Sequence, residues 1–149
     1  MYQRALLGYE KARGRDHTST LSTVNNLGSL YEDQGKLDKP EKMYRWALQG
    51  KEKALGKNHT STLETVRNFG ILYANLGKLD EAEKMYQRAL QGCEKALGPD
   101  HTTTLNTVNS LGLLSATQGK RAEAEKMYER ALQGYDKALG PDHTSTLRT

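Results

Sequence analysis

The sequence repeats itself with a period of 42 residues and no insertion, and that period limits what the chain can fold into. Laid over one another, residues 60–101 and 102–143 agree at 28 of 42 positions, and His17, His59, His101 and His143 mark the same point in four successive units. Self-similarity at a fixed period of this length is the mark of a stacked array, in which each unit is one supersecondary element.

The first half of the unit, TSTLETVRNFGILYANL, spaces Leu63, Val66, Phe69, Gly70, Leu72 and Tyr73 by threes and fours. That gathers them on one side of a helix, helix A. The second half, DEAEKMYQRALQGCEKAL, does the same with Ala82, Met85, Tyr86, Ala89, Leu90, Ala96 and Leu97, giving helix B. Gly77 suits the left-handed position after helix A, and Asp80 with Glu83 three residues on predicts a capping box for helix B. The turn is short, so A and B should lie antiparallel. Helix B stops at Gly98, Pro99 cannot continue it, and the polar run Asp100-His101-Thr102 can cap the next helix A.

One such hairpin buries too few apolar side chains to offset the ordering of its backbone, so its neighbours must supply the difference. The expected fold is therefore all-α: a solenoid of stacked antiparallel hairpins. The predicted helices run over 18–34, 39–55, 60–76, 81–97, 102–118 and 123–139. The units are a partial repeat at 1–14 (helix B alone), repeats at 18–59, 60–101 and 102–143, and a truncated helix A at 144–149. Tyr2, Ala5, Leu6 and Tyr9 have no helix before them in this scheme, which predicts head-to-tail association through the ends, because such contacts need not close. Pro40 falls in the first turn of its helix, where a missing N–H costs little. Ala122 stands where the other units have Asp38 and Asp80, so the last helix B is expected to fray at its start.

These residues carry a family resemblance. Val66-x2-Phe69-Gly70-x2-Tyr73 followed by Ala82-x3-Tyr86-x2-Ala89 resembles the tetratricopeptide signature. Val24, Leu27, Gly28 and Tyr31 with Tyr44 and Ala47 repeat it, as do Val108, Leu111 and Gly112 with Ala124, Tyr128 and Ala131. Two departures stand out: Glu52, Glu94 and Asp136 replace the proline late in helix B, and the period is 42 instead of 34. Without that proline helix B runs on to Leu55, Leu97 and Leu139, which accounts for the longer unit. The length, the Leu97–His101 linker and the Asn25–Leu27 segment are similar to kinesin-light-chain-like arrays, and similar arrays end some nucleotide-binding signalling proteins. The resemblance implies a right-handed α/α superhelix that binds a peptide or protein partner, performs no catalysis and lines its concave surface with helix A.

Among the copies the core positions barely change, and much of the variation falls on one stripe of helix A. The stripe comprises Ser22/Glu64/Asn106, Asn25/Arg67/Asn109, Ser29/Ile71/Leu113 and Asp33/Asn75/Thr117. Spacings of three and four put them on one face, opposite Val66, Phe69 and Tyr73. Taken as a groove, this face offers Asn25, Asn26, Asn68 and Asn109 as paired donors and acceptors for an extended peptide backbone. Arg67 would take a carboxylate, and Ile71 and Leu113 would give apolar contact. The alternative is that solvent-facing positions drift without constraint. The arrangement of lysines, asparagines and arginine that clamps C-terminal carboxylates in some relatives is not evident.

Composition narrows the classes further. With 36% hydrophobic and 27% charged residues, no apolar run is long enough to span a membrane, and nothing at the N-terminus resembles a signal peptide. One cysteine argues against a disulfide framework and fits a reducing, cytoplasmic setting. The net charge of +4 is mild, and the Lys and Arg of helix B sit among Glu, as on a solvated outer face, not in a phosphate-binding stripe. Nucleic acid and membrane are thus not expected partners. Histidines one repeat apart should be roughly 8–10 Å apart, too far to share a metal, so they read as linker residues. Cys93 occupies the position of Tyr9, Lys51 and Tyr135 and reads as a structural or neutral thiol. Trp46 replaces Arg4, Arg88 and Arg130 and is expected to be part-exposed. The tyrosines at 31, 44, 73, 86 and 128 are assigned to the core, no carboxylate looks set for a raised pKa, and no cofactor, metal or catalytic residue is predicted.

Overall fold

A computed structural model describes residues 18–139, and within them the chain is helical with no strand. The helices are α1 (Thr18–Asp33), α2 (Pro40–Leu55), α3 (Thr60–Asn75), α4 (Leu79–Leu97), α5 (Thr102–Thr117) and α6 (Arg121–Leu139). They pair as α1 with α2, α3 with α4 and α5 with α6, and each second helix also packs on the first helix of the next pair. The expected partial repeat at 1–14, with Tyr2, Ala5, Leu6 and Tyr9, and the segment 144–149 lie outside the described residues.

Close approach within each hairpin is set by two glycine contacts. A Cβ on Gly70 of α3 would stand 2.8 Å from the Tyr86 ring of α4, and a Cβ on Gly92 of α4 would stand 2.6 Å from a Leu63 methyl of α3. As the contact moves along α3 toward its end it moves back along α4, which is antiparallel packing. Gly28 against Tyr44 with Gly50 against Leu21, and Gly112 against Tyr128 with Gly134 against Leu105, repeat the geometry. Gly28, Gly70 and Gly112 follow the sequence expectation; the glycines of the second helices were not anticipated. Their signal was the invariance of Gly50, Gly92 and Gly134 in mid-helix, where glycine is intrinsically unfavourable.

The core lies between hairpins as much as within them. One cluster joins Tyr44 and Leu48 of α2, Val66, Phe69, Leu72 and Tyr73 of α3, Ala82, Tyr86 and Ala89 of α4, and Leu111 and Leu114 of α5. The Tyr44 and Phe69 rings meet across the hairpin boundary with centroids 5.8 Å apart, and Phe69 stacks on Tyr73 at 5.3 Å. Tyr44 is 1% exposed and Tyr86 4%, whereas Tyr128 is 38% exposed. Burial of this ring on its outer side therefore comes from the following hairpin, and the assignment of Tyr128 to the core is corrected: it rests on Gly112 of its own hairpin, and among the described residues no following helix covers it.

Helix ends follow the expected punctuation with one change. Gly77 takes φ +79° after α3, with the Lys78 N–H donating to the Tyr73 carbonyl at 2.8 Å and the Gly77 N–H to Ala74 at 3.1 Å. This is the paired closure that a left-handed residue makes possible. Pro40 opens α2 as expected. The capping box does not form: α4 starts at Leu79, one residue before Asp80, and its cap, Lys78, makes no side-chain cap hydrogen bond. Asp80 instead lies in the first turn, where its charge suits the helix dipole. Since no aspartate caps the second helices, Ala122 removes no cap, only a first-turn charge, and α6 begins at Arg121 with the Ala124 N–H bonded to Lys120 at 3.0 Å, as Ala82 is to Lys78.

The linker histidines His59 and His101 are themselves the caps of α3 and α5. His59 and His101 hold extended backbone, and their Nδ1 atoms accept from the Ser61 and Thr103 N–H groups at 3.1 Å. Thr62 and Thr104 hydroxyls then donate to the carbonyls of Gly56 and Gly98 at 2.8 Å, tying each new helix to the end of the previous one.

Replacing His101 with Ala should cost about 1 kcal/mol, read as a lower urea midpoint, with His101→Asn restoring most of it. Gly92→Ala should lower stability by about 1–2 kcal/mol, because overpacking against Leu63 outweighs the gain in helix propensity. Adding Leu63→Val in the same titration should recover part of that loss.

Candidate functional site

The variable stripe divides into two files. Counting about 100° per residue, position 25 lies about 60° round from Ser22, toward the next hairpin. Asn25 is accordingly 3% exposed. Its Oδ1 accepts from the Thr65 hydroxyl at 3.1 Å and from Asn68 Nδ2 at 3.2 Å. The expectation that Asn25 offers its amide oxygen to a peptide is corrected: that oxygen already bonds the first helix of the neighbouring hairpin. Arg67, the corresponding residue of α3, is half-buried, and its charge acts on Tyr86, Cys93 and Tyr135. Asn109 borders a cleft of about 380 Å³ on the far side of α6, with Tyr128, Ala131, Leu132 and Tyr135.

The other file stays open. Ser22, Asn26, Glu64 and Asn106 are exposed, Asn68 and Ile71 are half-buried, and Leu113 is 62% exposed. Ser29 shares a hydrogen bond of 3.1 Å with the Tyr44 hydroxyl. Ile71 packs against the main core cluster, and Asn106 accepts from the Tyr135 hydroxyl. A cleft of about 190 Å³ opens between α3 and α5, walled by Asn75, Tyr86, Ser110, Leu113 and Thr117.

Glu32 escaped the sequence reading. Its Oε1 accepts from the Tyr44 hydroxyl at 2.9 Å and its Oε2 from Asn75 Nδ2 at 2.6 Å, so it joins α1, α2 and α3 at the edge of the open file. Burial raises its pKa above the usual 4.5 despite those two bonds, with a smaller push from Asp33. The signal was available: Glu32 stands where the other units have Ala74 and Ala116. Burial also lifts the Tyr86 hydroxyl to about 12 and Tyr44 higher still.

Position 51/93 is an interior site, which corrects the reading of Lys51 as part of a solvated outer face and is compatible with a neutral thiol at Cys93. Lys51 is 2% exposed, and its Nζ donates to the Thr65 hydroxyl at 3.0 Å and the Ser61 carbonyl at 3.3 Å. Desolvation pulls its pKa below the usual 10.5. Cys93 is equally buried and its thiol is pushed up by desolvation, against a hydrogen bond with Thr107. Lys51, Thr65, Asn25 and Asn68 thus form one polar chain through the seam between the first two hairpins. On the outer side Arg88 bridges Glu52 at 2.7 Å, and Arg130 bridges Glu94 at 2.9 Å. Trp46, in the place of those arginines, is half-buried against the Val24, Leu27, Tyr31 and Ala47 cluster.

Among the described residues, no group of three His, Cys, Asp or Glu side chains could hold a metal ion, and no helix is long and apolar enough to cross a membrane. Stacked helical hairpins with a seam of this kind define a repeat solenoid. The chain belongs to the tetratricopeptide-repeat family, whose model matches residues 1–53, 47–95 and 61–137. Repeats of this family are generally protein-interaction scaffolds and typically non-enzymatic.

Its solved structural neighbours are kinesin-light-chain-like repeat proteins. BtubC (BKLC) from P. vanneervenii aligns with a TM-score of 0.84 at 22% identity, over 93% of this chain and 56% of that one. A putative kinesin light chain from Podosopora anserina with nearly identical TPR-like repeats aligns at 0.80 and 20% identity, over 99% of this chain and 70% of that one. The chain therefore spans little more than half the length of the first. These likenesses show the fold, the α/α superhelix expected. No curated protein matches the sequence.

Because the Glu32 pKa is raised on folding, the folded state holds a proton that the unfolded state releases, and stability falls as pH rises from about 4.5 through the folded value. Glu32→Gln keeps both neighbours in reach without the buried charge. Its urea midpoint should exceed that of the parent at pH 8, and the gap should close as pH falls to 4.5.

Proposed function

We propose that this chain is a non-enzymatic protein–protein interaction scaffold, holding an extended peptide or partner segment along the face of α1, α3 and α5. The 42-residue units 18–59, 60–101 and 102–143 are its modules, and Ser22, Asn26, Asn68, Ile71, Asn106 and Leu113 its contact surface. One observation carries the reading. Leu113, 62% exposed, borders the cleft between α3 and α5 with the polar groups of Asn75, Ser110 and Thr117 around it. An apolar side chain beside convergent donors and acceptors is what recognition of an extended peptide uses. A reducing, cytoplasmic setting belongs to this reading, supported by the single cysteine.

A second reading is head-to-tail association. The 38% exposure of Tyr128 and its cleft favour it, because the equivalent Tyr44 and Tyr86 are covered by a following first helix. In that case the partner is another copy.

The two separate in a pair of measurements. On a peptide array, Leu113→Ser should reduce retained signal by about tenfold, roughly 1.4 kcal/mol, while the mass in light scattering stays independent of concentration. Mass that grows with concentration, together with array signals indifferent to Leu113→Ser, would favour the second reading.

A further inference from the structure

The charge on this face is not that of the whole chain. Arg67 is the single basic residue of α1, α3 and α5, against Glu32, Asp33 and Glu64, although the chain carries a net +4. Arg67 is half-buried, near enough to Tyr86, Cys93 and Tyr135 for its charge to offset part of the burial that raises their pKa values. None of the three helices has a basic residue in its last turn. Their last residues, Asp33, Asn75 and Thr117, lie along one edge of the face; Lys36, Lys78 and Lys120 close the helix ends beyond it, with the Lys36 and Lys78 ammonium groups over the Tyr31 and Tyr73 rings, so the negative charge of the edge is that of the two α1 carboxylates.

That edge continues into the apolar cleft. Asn75 bonds the Glu32 carboxylate at 2.6 Å and also lines the cleft with Leu113. The carboxylate is held in place by two donors, Tyr44 and Asn75, that bring no positive charge. Among the described residues no ion pair reaches it. Each carboxylate oxygen has lone-pair capacity beyond one accepted bond.

We infer that the partner segment is cationic and apolar: an extended peptide that sets an Arg or Lys side chain on Glu32 and Asp33 and a bulky apolar side chain in the cleft at Leu113. This rests on the scaffold reading above and replaces the sequence expectation of a carboxylate on Arg67. Glu32 reaches Asn75 of α3, and the cleft lies between α3 and α5, so about one helix spacing, roughly 8–10 Å, separates the two sites and the two side chains stand about three residues apart in an extended chain.

The test uses an array of dodecapeptides that scans every residue at each position, probed with the full chain, followed by anisotropy titration of the best fluorescein-labelled peptide. Arg or Lys should be enriched about three residues from Leu, Ile, Phe or Trp. The double substitution Glu32→Gln with Asp33→Asn should weaken that peptide by about tenfold or more yet leave the affinity of its Arg→Gln version unchanged. Leu113→Ser should weaken both peptides, and circular dichroism melts should confirm that every variant is folded. Enrichment of acidic peptides, or an affinity indifferent to Glu32→Gln with Asp33→Asn, overturns this inference while peptide binding stands. If no peptide is retained, the scaffold reading falls and this inference with it.

Discussion

Everything in this fold depends on how closely the two helices of a hairpin approach. The tyrosine ring of α4 lies where a side chain on Gly70 would otherwise be, and Leu63 of α3 lies where one on Gly92 would be. These two contacts fix rotation and register of the pair, so the rest of the apolar stripe has a definite direction. With Tyr86 held flat on its own hairpin, its other edge becomes part of the surface on which the next hairpin settles. The same ring therefore serves packing inside a unit and between units. This explains why the unit cannot be divided and why the period admits no insertion.

The fold was legible because its period, its apolar spacing and its helix stops all agree, and each helix was predicted to within two residues of its observed ends. What sequence reading got wrong follows one rule. A periodic pattern tells which residues share a side of a helix, but not which neighbour waits on the flank. Asn25 and Asn26 differ by one position, yet the first is closed off by Thr65 and Asn68 and the second is exposed. Lys51 was read with the solvated lysines of its helix because nothing in its own segment marks the threonine that meets it from α3. The capping box failed for a related reason: the aspartate has the right spacing, but the turn before it delivers the chain one residue early.

The face of the first helices was half legible. Variation among copies located it, while the chemistry it offers came from a residue outside the stripe. Glu32 sits one position from Asp33, and its role depends on Tyr44 from the second helix and Asn75 from the next hairpin, a convergence of three elements that no single segment encodes. In contrast, Arg67 looked free on a helical wheel and is half-buried, with its charge acting on Tyr86 and Cys93 of α4 and Tyr135 of α6. The charge this face presents is thus set by which of its groups are partly withdrawn, and its one cation is among them.

The shared tyrosine has one more consequence. Tyr44 and Tyr86 are sheltered by a following hairpin and Tyr128, among the described residues, is not, so each hairpin lends its successor half of a binding site and receives half from its predecessor. Such a chain melts like a zipper: loss of one hairpin wets the ring beside it and loosens the next joint, so disorder enters at an end and travels inward.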